Sequence, residues 1–202
     1  MNNARWIFFD LDGTLVDNLK LLYDVYVEFL SDFGIKGNKK EFEKLNGPSI
    51  NEIIRILKKK YSLNLTNKKL ELNYNSKIVR AYKKSQPTKN STQILKVLKK
   101  NGYEIALVTS SPKKLAMILI KKFRWEKLFS KYVFGNEIVH SKPHPQIYRL
   151  CLKKTKALKN HTIVIEDSKN GYSSAKSAGL NCMLINKKQQ LNNLFKIIDS
   201  NV

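Results

Sequence analysis

Short apolar runs that stop abruptly at small polar or acidic residues recur along the chain, with helical spacings of apolar positions between them. "WIFF" at 6–9 ends on Asp10-Leu11-Asp12-Gly13, which predicts a buried strand running into a turn. "YEIALVTSS", with Ile105 to Val108, and "HTIVIEDSK", with Ile163 to Ile165, repeat the form; "KYVFGNE" (131–137) and "NCMLIN" (181–186) are weaker cases. Between the runs lie "STQILKVLKKNG" with a Ser/Thr start and Gly102 at its stop, and "SPKKLAMILIKKF" with Pro112 near its first turn. "HPQIYRLCLKKT" and "SKNGYSSAKSAG", the latter ending at Gly179, complete the set. Strands alternating with helices predict an α/β fold: a Rossmann-like parallel sheet with helices on both faces and ligands beyond the carboxyl ends of the strands.

From about 17 to 87 the alternation gives way to helix-like segments alone, and Pro87 restarts it. The expected organisation is an α/β core domain (1–16 and 88–202) with a small helical cap domain (17–87) that can hinge over the first strand end. Asp17 is read as structural, the start of the first cap helix. Tyr23, Tyr26, Phe29 and Phe33, spaced by three and four, read as a packing face in preference to a base-stacking platform.

Composition narrows the class. With 42% apolar residues in 202, the chain can bury a real core. Cys151 and Cys182 are too few for a disulfide framework and sit in apolar contexts, as buried thiols in a reducing compartment would. No apolar run is long enough to cross a bilayer, and "MNNAR" enters the first strand without a signal peptide, so a cytoplasmic protein without a membrane partner is expected. The net charge of +22 is spread as pairs and triplets such as Lys58-Lys59-Lys60, which favours a solvated basic surface over a dedicated polyanion face. Nucleic acid is thereby disfavoured, although the charge keeps it open.

Each main strand end carries a different polar set: Asp10 and Asp12, then Thr109 and Ser110, then Glu166 and Asp167, with Lys142 added from the loop "GNEIVHSKPHPQIY". Converging carboxylates raise one another's pKa unless a counter-ion is present. Mg²⁺, a hard cation preferring oxygen ligands, resolves that conflict and with Lys142 would neutralise a phosphoryl group. An aspartate nucleophile and a second aspartate as acid and base then become workable chemistry. Taken singly, each feature has a plainer reading: Asp-x-Asp-Gly as a turn, Lys142 as a surface lysine, Glu166-Asp167 as an acidic helix cap, Thr109 to Pro112 as a helix start. Four such motifs in order on strand ends favour the joint reading.

"DLDGTLVD", "LVTSS", "GNEIVHSKPHPQIY" and "VIEDSKNGYSSAKSAGL" resemble the four ordered motifs of the haloacid dehalogenase superfamily, in its branch with a helical cap between the first and second motifs, which includes phosphoglycolate phosphatases and β-phosphoglucomutases. The resemblance implies Asp10 as nucleophile, Asp12 as general acid and base, and Thr109, Ser110 and Lys142 as phosphoryl-binding groups. It also implies Mg²⁺ held by Asp10, the Asp12 backbone carbonyl and Asp167, with Glu166 directly or through water. Asp12 is retained, unlike in the dehalogenases, so phosphoester chemistry is favoured. The mutases carry a His and an Arg in the cap where this chain has Leu22 and Ile50, so hydrolysis is favoured over phosphomutase activity. The expected substrate is a small phosphorylated metabolite such as a sugar phosphate, phosphoglycolate or a nucleotide, acted on by a monomer or weak homodimer. A nucleic-acid-end phosphatase and a non-catalytic phosphate-binding module are the alternatives. Arg55, Arg80 and Lys83 read first as a solvated helix face, and second as groups reaching down to another substrate anion. His140, His144 and His161 lack metal-ligand spacing and read as incidental.

Overall fold

A computed structural model describes residues 5–185; residues 1–4 and 186–202, including the last position of the strand expected at 181–186, lie outside the described residues. The chain starts with β1 (Trp6–Phe9) and a two-residue β2 (Val16–Asp17), then enters α1 (Leu19–Ser31), α2 (Lys39–Lys44), α3 (Ile50–Tyr61) and α4 (Asn67–Lys84). A second two-residue strand, β3 (Gln86–Pro87), leads back to α5 (Ser91–Lys100), β4 (Glu104–Thr109), α6 (Lys113–Lys122) and β5 (Lys131–Phe134). The remainder is α7 (Gln146–Thr155), β6 (Thr162–Glu166), α8 (Lys169–Ser177) and β7 (Asn181–Leu184). The larger sheet is parallel with order β5-β4-β1-β6-β7, as the alternation of strand and helix predicts.

Successive side chains of a strand point to opposite faces, and here the two faces are equally apolar. Ile7 and Phe9 of β1 join Ile105 and Leu107 of β4 against Ile94 and Leu98 of α5 and Leu119 of α6. Trp6 and Phe8 face the other way, with Ala106 and Val108, against Ile147 and Cys151 of α7 and Ala175 of α8. Phe8 and Phe9 are both fully buried, and burying such a side chain stabilises the fold by about 1.5–3 kcal/mol. β1 lies at the middle of the sheet, where the strand order reverses, so the crevice past its carboxyl end is open to a ligand.

The insert is helical because α1, α3 and α4 each carry an apolar stripe, and they pack on one another through Tyr26, Phe29, Ile54, Leu57 and Leu70. Side-chain caps at Asn38, Ser49 and Thr66 start α2, α3 and α4. Tyr26 and Phe29 are buried, with Tyr23 and Phe33 packed against them, which fits the packing reading of the aromatic stripe. Glu41 ties the insert together by accepting from Tyr26 (2.5 Å), Tyr61 (2.6 Å) and Lys60 (2.6 Å).

Two local details differ from the sequence reading. β2 and β3 pair antiparallel, Val16 with Pro87 and Asp17 with Gln86, to form a small ribbon at the base of the insert. Two-residue strands carry no periodicity to read. Asp17 therefore belongs to that ribbon, and Asn18 is the residue that precedes α1. Both cysteines are free thiols; Cys151 is buried but Cys182, on the edge strand β7, is only half-buried. Burial pushes the Cys182 thiol up to about 12. No helix among the described residues is long and apolar enough to cross a membrane.

Candidate active site

The register of the sheet assembles the site. Phe9 is level with Leu107 and Ile165, and the Asp10 amide donates to Ile165 O at 3.0 Å, so Asp10 stands between the ends of β4 and β6. Thr109 ends β4, Glu166 ends β6, and Asp167 follows at once. The sequence-predicted residues Asp10, Thr109, Lys142, Glu166 and Asp167 thus come together at one edge of the sheet, with Asp12 just above.

Lys142 is the centre of the cluster. Its ammonium donates to Asp10 Oδ1 and to Glu166 Oε1, both at 2.6 Å, and the residue is only 2% exposed. It is therefore no surface lysine. Flanked by two carboxylates, it is held well above the usual lysine range although burial opposes this. Glu166 Oε1 also accepts from the Tyr148 hydroxyl at 2.5 Å, and Ser168 Oγ donates to Oε2 at 3.3 Å. Gly171 makes room for this arrangement, because a Cβ there would come within 2.0 Å of the Glu166 carboxyl carbon.

Asp10, Glu166 and Asp167 each offer a carboxylate oxygen within 4.8 Å of one another. Burial pushes Asp10 well above the usual carboxylate range, and Glu166 pushes it further while Lys142 opposes. Asp167 is pushed up to about 7, first by burial and then by Glu166. Three carboxylates against one ammonium leave negative charge in excess, and an all-oxygen donor set with that excess fits a hard divalent cation. Thr14 Oγ1 at 3.4 Å and Asn46 Nδ2 at 2.9 Å hold Asp167 in place from the two sides. Gly13 adopts φ +83°, and a Cβ on it would sit 2.3 Å from Asp167 Oδ2, so glycine is required there on both counts.

Asp12 has different company. Its Oδ1 accepts from Asn18 Nδ2 at 2.6 Å, and its Oδ2 accepts from Tyr82 at 2.7 Å and Ser111 at 3.0 Å. Burial raises its pKa while these three hydrogen bonds hold it down. Tyr82 comes from α4, so the insert itself supplies a donor to this carboxylate. Further ties join insert and core: Ser110 Oγ donates to Gly47 O at 2.5 Å, and Asn170 donates to Asn46 O at 2.7 Å. Ser110 thereby commits its side chain to the insert, leaving its backbone for other partners. Thr109 Oγ1 accepts from the Ser111 amide at 3.1 Å, which shapes the loop after β4.

Asn18, Asn46, Tyr82, Ser111 and Tyr148 are the site residues that sequence reasoning missed. Ser111 lay inside a quoted motif, and Asn18 one residue from a weighed one. Tyr148 likewise closes the quoted motif "GNEIVHSKPHPQIY", whereas Tyr82 and Asn46 had no local signal, since each meets its partner only in the folded chain.

The chain that carries this site is similar to known proteins. Residues 7–185 match the family described as haloacid dehalogenase-like hydrolase. A phosphorylated carbohydrates phosphatase of Thermotoga maritima is 29% identical over 177 residues, covering 86% of this chain and 81% of the relative. A phosphoglycolate phosphatase of Pseudomonas fluorescens is 25% identical over 199 residues, covering 90% and 69%. The crystal structure of CbbY from Rhodobacter sphaeroides in complex with phosphate superposes with a TM-score of 0.76 at 21% identity, covering 92% of this chain and 88% of that one. The chain belongs to the haloacid dehalogenase-like hydrolase family and is an enzyme of its phosphatase type.

Proposed function

We propose that this chain is a cytoplasmic, Mg²⁺-dependent phosphatase that hydrolyses a small phosphomonoester through an aspartyl-phosphate on Asp10. The observation that carries the reading is the split between the two aspartates. Asp10 is tied to Lys142 beside Glu166 and Asp167, whereas Asp12 is turned toward Asn18, Tyr82 and Ser111. Environments that differ so sharply suit two carboxylates to two roles.

Asp10 attacks phosphorus, with Lys142 keeping it ionised and meeting the charge of the phosphoryl oxygens. Thr109 and the backbone N–H groups around Ser110 bind those oxygens. Asp12, whose pKa burial raises, gives its proton to the departing ester oxygen and then takes one from the water that cleaves the aspartyl-phosphate. Asp10, the Asp12 backbone carbonyl and Asp167 would hold Mg²⁺, with Glu166 behind them on Lys142 and Tyr148. Bound there, the ion supplies charge neutralisation at the phosphoryl group. The unpaired thiols support a reducing location.

The test is phosphate release from a panel of phosphomonoesters with Mg²⁺ or with EDTA. Turnover with Mg²⁺ and a loss of about a hundredfold or more with EDTA are expected; equal rates in both would sink the metal dependence. Tyr82→Phe removes one of the three donors to Asp12, and a lost hydrogen bond to a charged group is worth about 1.5–3 kcal/mol. An approximately tenfold fall in kcat, with KM changed less, is expected from steady-state kinetics. An unchanged kcat would remove Tyr82 from the support of Asp12.

A further inference from the structure

The insert and the core enclose a cavity of about 80 Å³ above Asp10 and Asp12. Its floor is polar, formed by the two aspartates with Thr109, Ser110, Ser111 and Asp167. Its roof is mainly apolar. The insert contributes Leu22, Phe42, Ile50, Ile53 and Ile78 together with the ring of Tyr74; its polar side chains there, Asn46 and Tyr82, are already bonded to Asp167 and Asp12, and among the described residues no lysine, arginine or histidine lines the cavity.

Of the basic residues of the insert, Arg55, Arg80 and Lys77 are engaged elsewhere, and Lys83 is exposed and does not line the cavity. Arg55 pairs with Glu52 at 3.2 Å and Arg80 with Glu28 at 2.5 Å, both largely exposed. Lys77 is spanned by Glu28 at 3.1 Å and Asp32 at 2.9 Å. Lys39, Lys40, Lys44 and Lys169 rim an open groove outside the cavity, which shares only Phe42, Asn46, Asp167 and Ser168 with it. Positive charge is thus available to draw an anion toward the entrance, but among the described residues no cation waits where the leaving group would lie.

From this we infer that the phosphomonoester carries an uncharged, compact, apolar leaving group of the alkyl or aryl alcohol type. The inference rests on the phosphatase reading and narrows it. A carboxylate or second phosphate on the leaving group would be buried against Leu22, Ile50, Ile53 and Ile78 with no counter-ion, which is strongly unfavourable. An apolar group there loses only contact with water, which is favourable. At about 80 Å³ the cavity is also smaller than the roughly 300–1,000 Å³ of pockets for drug-sized ligands, which favours a compact leaving group over long chains. Phosphoglycolate, sugar bisphosphates and nucleotides, each with a second polar or charged moiety, are the wrong shape of chemistry for this roof.

Titration calorimetry of the full-length Asp10→Asn variant with Mg²⁺, using phenyl phosphate and phosphoglycolate as probes, tests this apart from turnover. Phenyl phosphate is expected to bind at least about tenfold tighter, and adding Ile53→Arg is expected to narrow or reverse that order. Equal or tighter binding of phosphoglycolate, or no binding of phenyl phosphate, overturns the inference. Turnover by the wild-type protein is measured in parallel. If neither ester is hydrolysed while the binding order holds, the hydrolase reading falls and the apolar roof stands as its ligand determinant. If phosphoglycolate is hydrolysed the faster, hydrolysis stands and the apolar inference falls.

Discussion

Asp10→Asn lowers phosphate release by at least about a thousandfold, equivalent to roughly 4 kcal/mol of lost transition-state stabilisation. The amide is nearly isosteric with the carboxylate but is no nucleophile at phosphorus, so the covalent route closes while the surroundings persist. Lys142 retains Glu166 as its partner at 2.6 Å, and one of the three clustered carboxylates is gone. The folded state is therefore retained, with a change in stability small beside the catalytic loss. Initial rates with a compact phosphomonoester, alongside denaturant titration, check both halves. A residual rate within tenfold of wild type would mean that water attacks phosphorus directly and that Asp10 serves another purpose.

Lys142→Met acts on the fold as well as on the chemistry. The methionine fills much of the same volume but leaves Asp10 and Glu166 facing one another without the ammonium between them. Removing one partner of a buried ionic cluster costs about 3–5 kcal/mol. The penalty depends on pH. Asp10 already sits well above the usual carboxylate range with Lys142 opposing that rise, and in the variant the opposition is gone. A carboxyl whose folded pKa exceeds its unfolded value binds more protons when folded, so its stability is present below the unfolded pKa and is lost as pH rises. The variant should accordingly be closer to wild type near pH 5 than near pH 8 in EDTA-containing buffer, as read by chemical denaturation. A further Glu166→Gln change should restore part of the loss at the higher pH, since the two positions share one partner. An effect of Lys142→Met that is small and flat with pH would show that the cluster is held by packing alone.

The strands were legible because β1, β4 and β6 must be apolar on both faces, and a buried parallel strand cannot hide that need in its sequence. The candidate site positions were legible for a related reason. Asp10, Thr109, Glu166 and Asp167 interrupt or immediately follow those runs, so the strand tips announce themselves. Lys142 was readable only in company, since one lysine among so many carries no signal alone. What the sequence withheld are the contacts between elements. Tyr82 meets Asp12 across 70 residues, and Asn46 meets Asp167 across 121. Nothing in the helical spacing of "YNSKIVRAYKK" sets Tyr82 apart from Tyr74, although one grips the Asp12 carboxylate and the other packs on Phe29. The apolar roof was likewise hidden: Leu22 and Ile50 could be noticed as absences of polar groups, but Phe42, Ile53 and Ile78 read as ordinary core until the insert is laid over the sheet.

The small residue at 171 has an evolutionary corollary. Glu166 reaches Lys142 and Tyr148 through space that exists only because α8 carries no side chain at that point. Four positions drawn from two helices, a strand end and a loop are thereby bound into one heritable unit. A lineage cannot enlarge residue 171 without first shortening residue 166, and cannot shorten residue 166 without stranding both the lysine and the tyrosine. Drift at any one of the four is blocked by the other three, so this corner can diverge only through concerted replacement, while the roof above it is free to change one residue at a time.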